Sequence, residues 1–540
     1  MLFNRKGTMS STQLPYHHPS ALEPGVLILN VVLGVVGAII GMQLITQLGI
    51  TPNTSIIGAL VAMLLARIPL SFLRGFRSIH RQNLVQTSIS GATFGAANSL
   101  LLPIGIPYLL GRQDLVWPML IGAAAGMFTD AWMLWRVFDS RAFPGSAAWP
   151  PGVASAEAIR AGDEGGQRAR LLIYGIAGGL LGSYLKIPMS AFGVAFIGNM
   201  WALAMFGVGL LIRGYSTNLF GIDLNALYIP HGVMVGAGTV ALIQILAILR
   251  GKVGNQQEAE AKEEVELTTD DATLARTIRM GFGLYIVFAA LLAVLSGLHA
   301  QMSPAKLVLW VVFAAFSCLA AEVIVGLSAM HAGWFPAFAT TLIFLVLGMI
   351  LGFPEVPLAL LTGYIASGGP AFADMGYDLK AGWLLRRREN NPDFERAGRF
   401  QQYLANNIAF VVALIMVAIS WRAYFSQDLF PPVDRVFVAT IKAGLEDPSI
   451  AMRIFLWAIP GAAIQFIGGP ARQLGILLAT GLLILNPNAG WAVLAGLLIR
   501  FLVSRKYGEK ANSPMEILAA GFIAGDALYG FFNSVLRLRK

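Results

Sequence analysis

Charge is what this 540-residue chain most lacks: Lys, Arg, Asp and Glu together make up 12% of it, where a soluble domain carries about 25%. That deficit excludes an ordinary soluble domain. A hydrophobic share of 56% and a mean hydropathy of +0.68 point to a polytopic membrane protein. Cysteine is nearly absent too, and the single Cys318 sits inside an apolar run, which excludes internal disulfides and a cysteine metal site. No Gly-x-x-x-x-Gly-Lys-Ser/Thr occurs, so an ATP-driven pump lacks its machinery, and no His-Glu-x-x-His supports a membrane zinc protease. No cofactor and no bound metal are expected. The first apolar run follows a polar stretch and is not trailed by a small-residue cleavage site, so a cleaved signal peptide is not expected.

Net charge is +9, yet the basic residues sit in short loops between apolar runs and form no solvated stripe. They read as topology signals, and no nucleic-acid partner is expected. The runs themselves, such as Val26 to Thr46 and Leu404 to Ser420, approach the roughly 20 residues that a bilayer-crossing helix needs. Lipid offers nothing to an unpaired backbone group, so the crossings must be helical. The expectation is an all-α polytopic membrane protein with about 14 to 16 transmembrane helices, some broken or re-entrant, in a plasma (inner) membrane.

One polar stretch, "WPPGVASAEAIRAGDEGG" from Trp149, interrupts the apolar pattern and has an echo in "FPPVDRVFVATIKAGLED" from Phe430, about 282 residues on. At a similar offset the run from Val26 meets the run from Leu307, and the stretch from Pro230 meets that from Pro514. The expected organisation is an N-terminal half over 1–250, an acidic soluble linker over 251–277, an extra crossing over 278–305 and a C-terminal half over 306–540. Duplicated halves around a central site are a transporter habit.

Orientation signals conflict. Loops holding Arg67, Arg74, Arg77 and Arg81, then Arg136, Arg141, Arg160, Arg168 and Arg170, then Arg386, Arg387, Arg388, Arg396 and Arg399, and finally Arg500, Arg505, Lys506 and Lys510 all ask for the cytoplasmic side. An odd number of apolar segments separates the second from the third. Segments 189–213 and 357–373 are two of those in between, and at least one segment of the whole set must be re-entrant, broken or misplaced.

The chain resembles the oligopeptide transporter family, which includes the yellow-stripe-like carriers of metal chelates, in a bacterial type. "RQNLVQTSISGATFGA" from Arg81 is similar to the family's Asn-x-Val-Gln-Thr segment, and the stretch from Trp149 to its Pro-x-Gly-Thr-Ala-x-Ala-Glu signature. "FADMGYDLKAGWLLRRR" from Phe372 resembles its Gln-Asp-Leu-Lys-Thr-Gly loop, and "MEILAAGFIAGDALYG" from Met515 its closing helix. Ser155 stands where Thr or Ala is commoner, Asp526 where Glu is usual, and "AMHAGWFP" near His331 replaces an Asn-Pro stretch. The resemblance implies a helical carrier that moves small peptides or peptide-like metal chelates together with protons.

Carboxylates in apolar runs are the informative positions, since a charge at the bilayer centre costs about 2.5 to 3.5 kcal/mol even on lenient scales. Asp526 and Glu322 are candidates for proton coupling; the alternatives are pairing with a buried arginine such as Arg453 or capping a broken helix. Glu157, a further candidate for proton coupling, lies either in a re-entrant turn beside the substrate path or in a cytoplasmic connecting helix. His231 reads as a proton relay or substrate contact, or as a helix cap. Asn199, and with it Gln86, Asn98 and Gln465, reads as a substrate ligand or as an interhelical hydrogen bond.

The expected function is proton-coupled symport by alternating access, with a small-molecule cargo, protons and lipid as partners and a homodimer left open. The alternative is a passive channel. An intramembrane aspartyl protease built on Asp378 and Asp526 is remote, because Ile523 stands where glycine is wanted and Asp378 falls in a charged loop. No enzyme activity is expected.

Overall fold

A computed structural model of the chain describes residues 17–48, 54–68, 75–249, 267–333, 336–387, 391–443 and 449–538. Most of the expected linker, together with Arg74 and Arg388, lies outside the described residues. The described chain is helical throughout: α1 Pro24–Leu48, α2 Thr54–Arg67, α3 Ile79–Phe94, α4 Leu102–Leu109, α5 Val116–Val137, α6 Pro150–Glu164, α7 Gly166–Tyr184, α8 Met189–Ile197, α9 Met200–Phe220, α10 Ile229–Leu249 and α11 Asp271–Leu295. After these come α12 Pro304–Ala332, α13 Ala337–Ile350, α14 Glu355–Arg386, α15 Pro392–Phe425, α16 Pro432–Ala443, α17 Ser449–Arg472, α18 Leu474–Leu483, α19 Pro487–Tyr507 and α20 Asn512–Leu538. Among the described residues, 9 helical stretches are long and apolar enough to cross a membrane. The protein is an all-α polytopic membrane protein.

Two long helical stretches form the interior. One is α3 and α4, joined without a break by a π-helical turn over Gly95–Leu101; the other is α14. Both are enclosed on nearly every side, α14 by α3, α4, α5, α6, α12, α13, α15 and α16. A helix with no exposed face needs no polar stripe, and α14 carries its polar residues inward instead. The sequence reading that ended this segment at 373 is corrected here: Asp378 is fully buried in the helix, not in a charged loop. The Gly368-Gly369-Pro370 triplet and the charges beyond it look like a helix stop. The helix continues because neighbours meet those groups, for example the Gly145 carbonyl accepting from Lys380 Nζ at 2.7 Å.

Outside this interior the helices pack crosswise: α7 lies on α20, α10 on α17, α8 on α19 and α9 on α18. Glycine sets the closeness of the first pair. A Cβ on Gly175 would lie 2.8 Å from the Gly521 Cα, and one on Gly179 would lie 2.9 Å from the Gly525 Cα. Two Gly-x-x-x-Gly faces therefore meet backbone to backbone, the contact that drives helix association where lipid removes the hydrophobic incentive.

Two helices are short. α8 has 9 residues and α18 has 10, about 13 and 15 Å of rise against a hydrocarbon core of about 30 Å. Each follows a break with a proline: Pro188 precedes α8, and α17 is interrupted at Gly469, φ 67°, just before Pro470. The expected segment 189–213 is thus two helices split at Gly198 and Asn199. A broken segment is one of the three irregularities, with a re-entrant and a misplaced one, that the conflicting arginine loops allow.

Candidate functional site

The first short helix, α8, borders a cavity of about 670 Å³, which Ile484, just past the end of α18, also reaches. Its wall takes residues from α1, α3, the π turn, α4, α6, α8 and α9 on one side and from α12, α13, α14, α16, α19 and α20 on the other. Most of that wall is apolar, with Phe94, Phe206, Phe338 and Phe437 among its members. The polar members with side-chain hydrogen-bonding groups are Asn98, Ser190, Thr341, Asn486 and Asp526. A concave apolar site of this size with a few convergent polar groups has the usual shape of a small-molecule site.

Local irregularities place these groups. Asn98 sits in the π turn, a helix defect common at functional sites. Pro370 lines the wall beside Ala366, and having no N–H it cannot give the Ala366 carbonyl its helical hydrogen bond. Trp149 is buried in a left-handed conformation, φ 38°, and donates its N–H to the Met330 carbonyl at 2.8 Å. That turn starts α6 with two prolines in its first turn and puts Pro151 on the wall. In the echoing segment, Val433 and Phe437 of α16 also reach the wall.

Of the residues singled out from sequence, Asp526 and Asn98 line the cavity. Asp526 accepts the Ser183 hydroxyl at 2.5 Å and the Ser190 N–H at 2.9 Å, so it also caps the start of α8, as the capping alternative foresaw. The others serve elsewhere. Glu157 pairs with Arg160 at 3.2 Å and Arg168 at 3.1 Å. Asn199 caps α9, accepting the Trp201 and Ala202 N–H groups at 3.1 Å, and Gln465 caps α18, accepting those of Gly475 and Ile476, also at 3.1 Å. His231 is buried at the start of α10 against the Tyr228 ring. Gln86 donates to Ser55 at 2.7 Å and to the Asp378 carboxylate.

Glu322 belongs to a separate cluster. The Tyr285 hydroxyl of α11 lies between Glu322 of α12 and Asp130 of α5, within hydrogen-bond reach of both carboxyls, and all three are buried. No ion pair joins either acid to a cation among the described residues. The hydroxyl has one hydrogen and two carboxyl neighbours, so it can donate to only one of them at a time.

Sequence reasoning missed Asp130, Tyr285, Asp374 and Asp434. Asp130 lies mid-run in "GMFTDAWML", so the test that found Glu322 would have found it. Asp374, accepting the Ser90 hydroxyl at 2.6 Å, was hidden by the false helix stop. Asp434, buried beside Gly105 with neither oxygen hydrogen-bonded, lies in the echoing segment from Phe430, outside the apolar runs that were searched for acids. Asp378 and Asp526 have no partner in common, unlike the proton-sharing carboxyl pair an aspartyl protease needs.

The chain has no significant match among curated proteins. Residues 25–249 and 221–537 match a family model described as OPT oligopeptide transporter protein. A helical membrane protein with a cavity walled by both ends of its chain agrees with that match, and the chain belongs to the oligopeptide transporter family.

Proposed function

We propose that this protein is a proton-coupled symporter that carries small peptides or peptide-like metal chelates across the cytoplasmic membrane by alternating access. The observation that carries this reading is the cavity itself, shared between helices that precede α11 and helices that follow it. The crosswise packing supports a duplicated origin. If α7 to α10 correspond to α17 to α20, then the α7–α20 and α10–α17 contacts are the same contact made twice, as are α8–α19 and α9–α18. Two equivalent bundles that clasp each other around a cavity can rock about it.

The proton is held at Glu322, with Asp130 as its partner and Tyr285 between them. Two acids that flank one hydroxyl, buried away from any cation among the described residues, are costly to leave doubly charged. They sit where α11, outside the repeat, meets α5 and α12, so a change in proton occupancy would act on the packing between those helices. Glu157, already compensated by two arginines, is the weaker candidate.

Counterflow in proteoliposomes tests the mechanism. A carrier exchanges labelled for unlabelled peptide across the membrane, whereas a pore only dissipates the gradient. Accumulation driven by an imposed inward proton gradient tests the coupling, and its absence in a protein that shows counterflow would reduce the reading to facilitated exchange.

A further inference from the structure

Among the described residues the cavity wall carries one ionisable side chain, Asp526. No lysine, arginine or histidine accompanies it there. A cargo with net negative charge would have to leave water and meet no cation, a loss that burial makes severe. A cationic group would meet a carboxylate. Asp526 also has acceptor capacity left, because the Ser183 hydroxyl and the Ser190 N–H occupy two of about four lone-pair sites.

The other short helix indicates that the charge exceeds what capping demands. At the 282-residue offset, Gln244 stands where Asp526 does and Gln465 where Ser183 does. Gln465 accepts two N–H groups at the start of α18 and donates to Gln244 at 2.9 Å. Neutral amides therefore suffice to start a short helix in this frame, and neither amide lines the cavity. The carboxylate appears only at the position that does.

We infer that Asp526 is the cation-binding group of the cavity and takes the ammonium of a small peptide or a peptide-like amine, so that the preferred cargo is neutral or positive overall. This rests on the reading of the cavity as the cargo site. It also separates two tasks among the acids: Asp526 meets cargo, and the Asp130–Tyr285–Glu322 cluster holds the proton, so both can be occupied at once as symport requires.

The test is calorimetric binding to the purified full-length protein. The probes are tetra-alanine amide, whose only charge is its amino terminus, and its N-acetylated form, which has none. The free amine should bind at least about tenfold tighter, and Asp526→Asn should weaken it by about ten- to a hundredfold while leaving the acetylated peptide unchanged. Ser183→Ala keeps the carboxylate and should keep the preference, which covers the case in which Asp526→Asn fails to fold. Equal binding of the two probes to the wild type, absence of binding by both, or a preference retained by Asp526→Asn would each overturn the inference. Ala337→Trp, which fills the cavity, tests the underlying reading separately: unaltered peptide binding in that variant would move the cargo site elsewhere.

Discussion

The carboxylate of Asp526, on the last helix, accepts the backbone N–H of Ser190 at 2.9 Å in the first turn of α8, more than three hundred residues earlier in the chain. One side chain thereby fixes where a half-length helix begins and faces the cavity beside it. Its removal should be felt in stability as well as in binding. Asp526→Ala should lower stability by about 1 to 2 kcal/mol, the cost of losing a helix cap, and Asp526→Asn by less, since the amide oxygen can still accept. Chemical denaturation of the three proteins in the same detergent measures the order, and Asn more damaging than Ala would contradict the cap.

Asp130 and Glu322 should behave as one unit. Glu322→Gln and Asp130→Asn should each abolish accumulation driven by a proton gradient while leaving counterflow in place. The double variant should be no worse than either single one, because groups that share a proton are not additive. Tyr285→Phe should keep the fold and shift the pH profile of uptake. Independent, multiplicative losses in the double variant would separate the two acids.

At the α7–α20 contact, Gly179→Leu and Gly525→Leu should destabilise strongly, since the new side chain meets backbone that has no rotamer to change; overpacking typically costs about 1 to 3 kcal/mol. Gly283 of α11 is the control, because a Cβ there meets nothing within 4 Å. Gly283→Ala should be neutral or slightly stabilising. Thermal stability in detergent decides, and tolerance of leucine at Gly525 would show that the close approach is dispensable.

His18 lies before the first membrane helix, among the rings of His80 and Phe394. Burial, and after it the nearby Arg386 guanidinium, hold the imidazole pKa down from 6.5 to about 3. The folded protein therefore keeps this ring neutral, and its contribution is complete above about pH 6.5 and is lost as pH falls from there towards 3. His18→Phe should make thermal stability less sensitive to acidification between about pH 6.5 and 4. An unchanged pH slope in the variant would remove His18 as a cause.

Several features were legible residue by residue. The clash of arginine loops called for an irregular segment somewhere without locating it, and the Trp-Pro-Pro stretch marked a segment that does reach the cavity, through Pro151. Asp526 was found because a carboxylate in an apolar run is rare whatever its task. Its role was not legible, since Glu322 and Asp130 look the same in sequence and sit in another place. Asn199 and Gln465, read as ligands or as interhelical hydrogen bonds, cap α9 and α18 in the structure.

By itself the sequence determined the class, the helices and the family, because lipid admits no unpaired backbone and apolar length therefore reads directly as helix. Tertiary structure alone decided which polar groups face a cavity and which bind helix to helix. In a soluble helix a polar stripe reveals its outer face, but α14 and the α3–α4 stretch are enclosed all round, so their polar residues follow no period that could be phased. Their partners are contributed by helices far away in the chain, and only the packed molecule brings Ser183 to Asp526 or Tyr285 to Glu322.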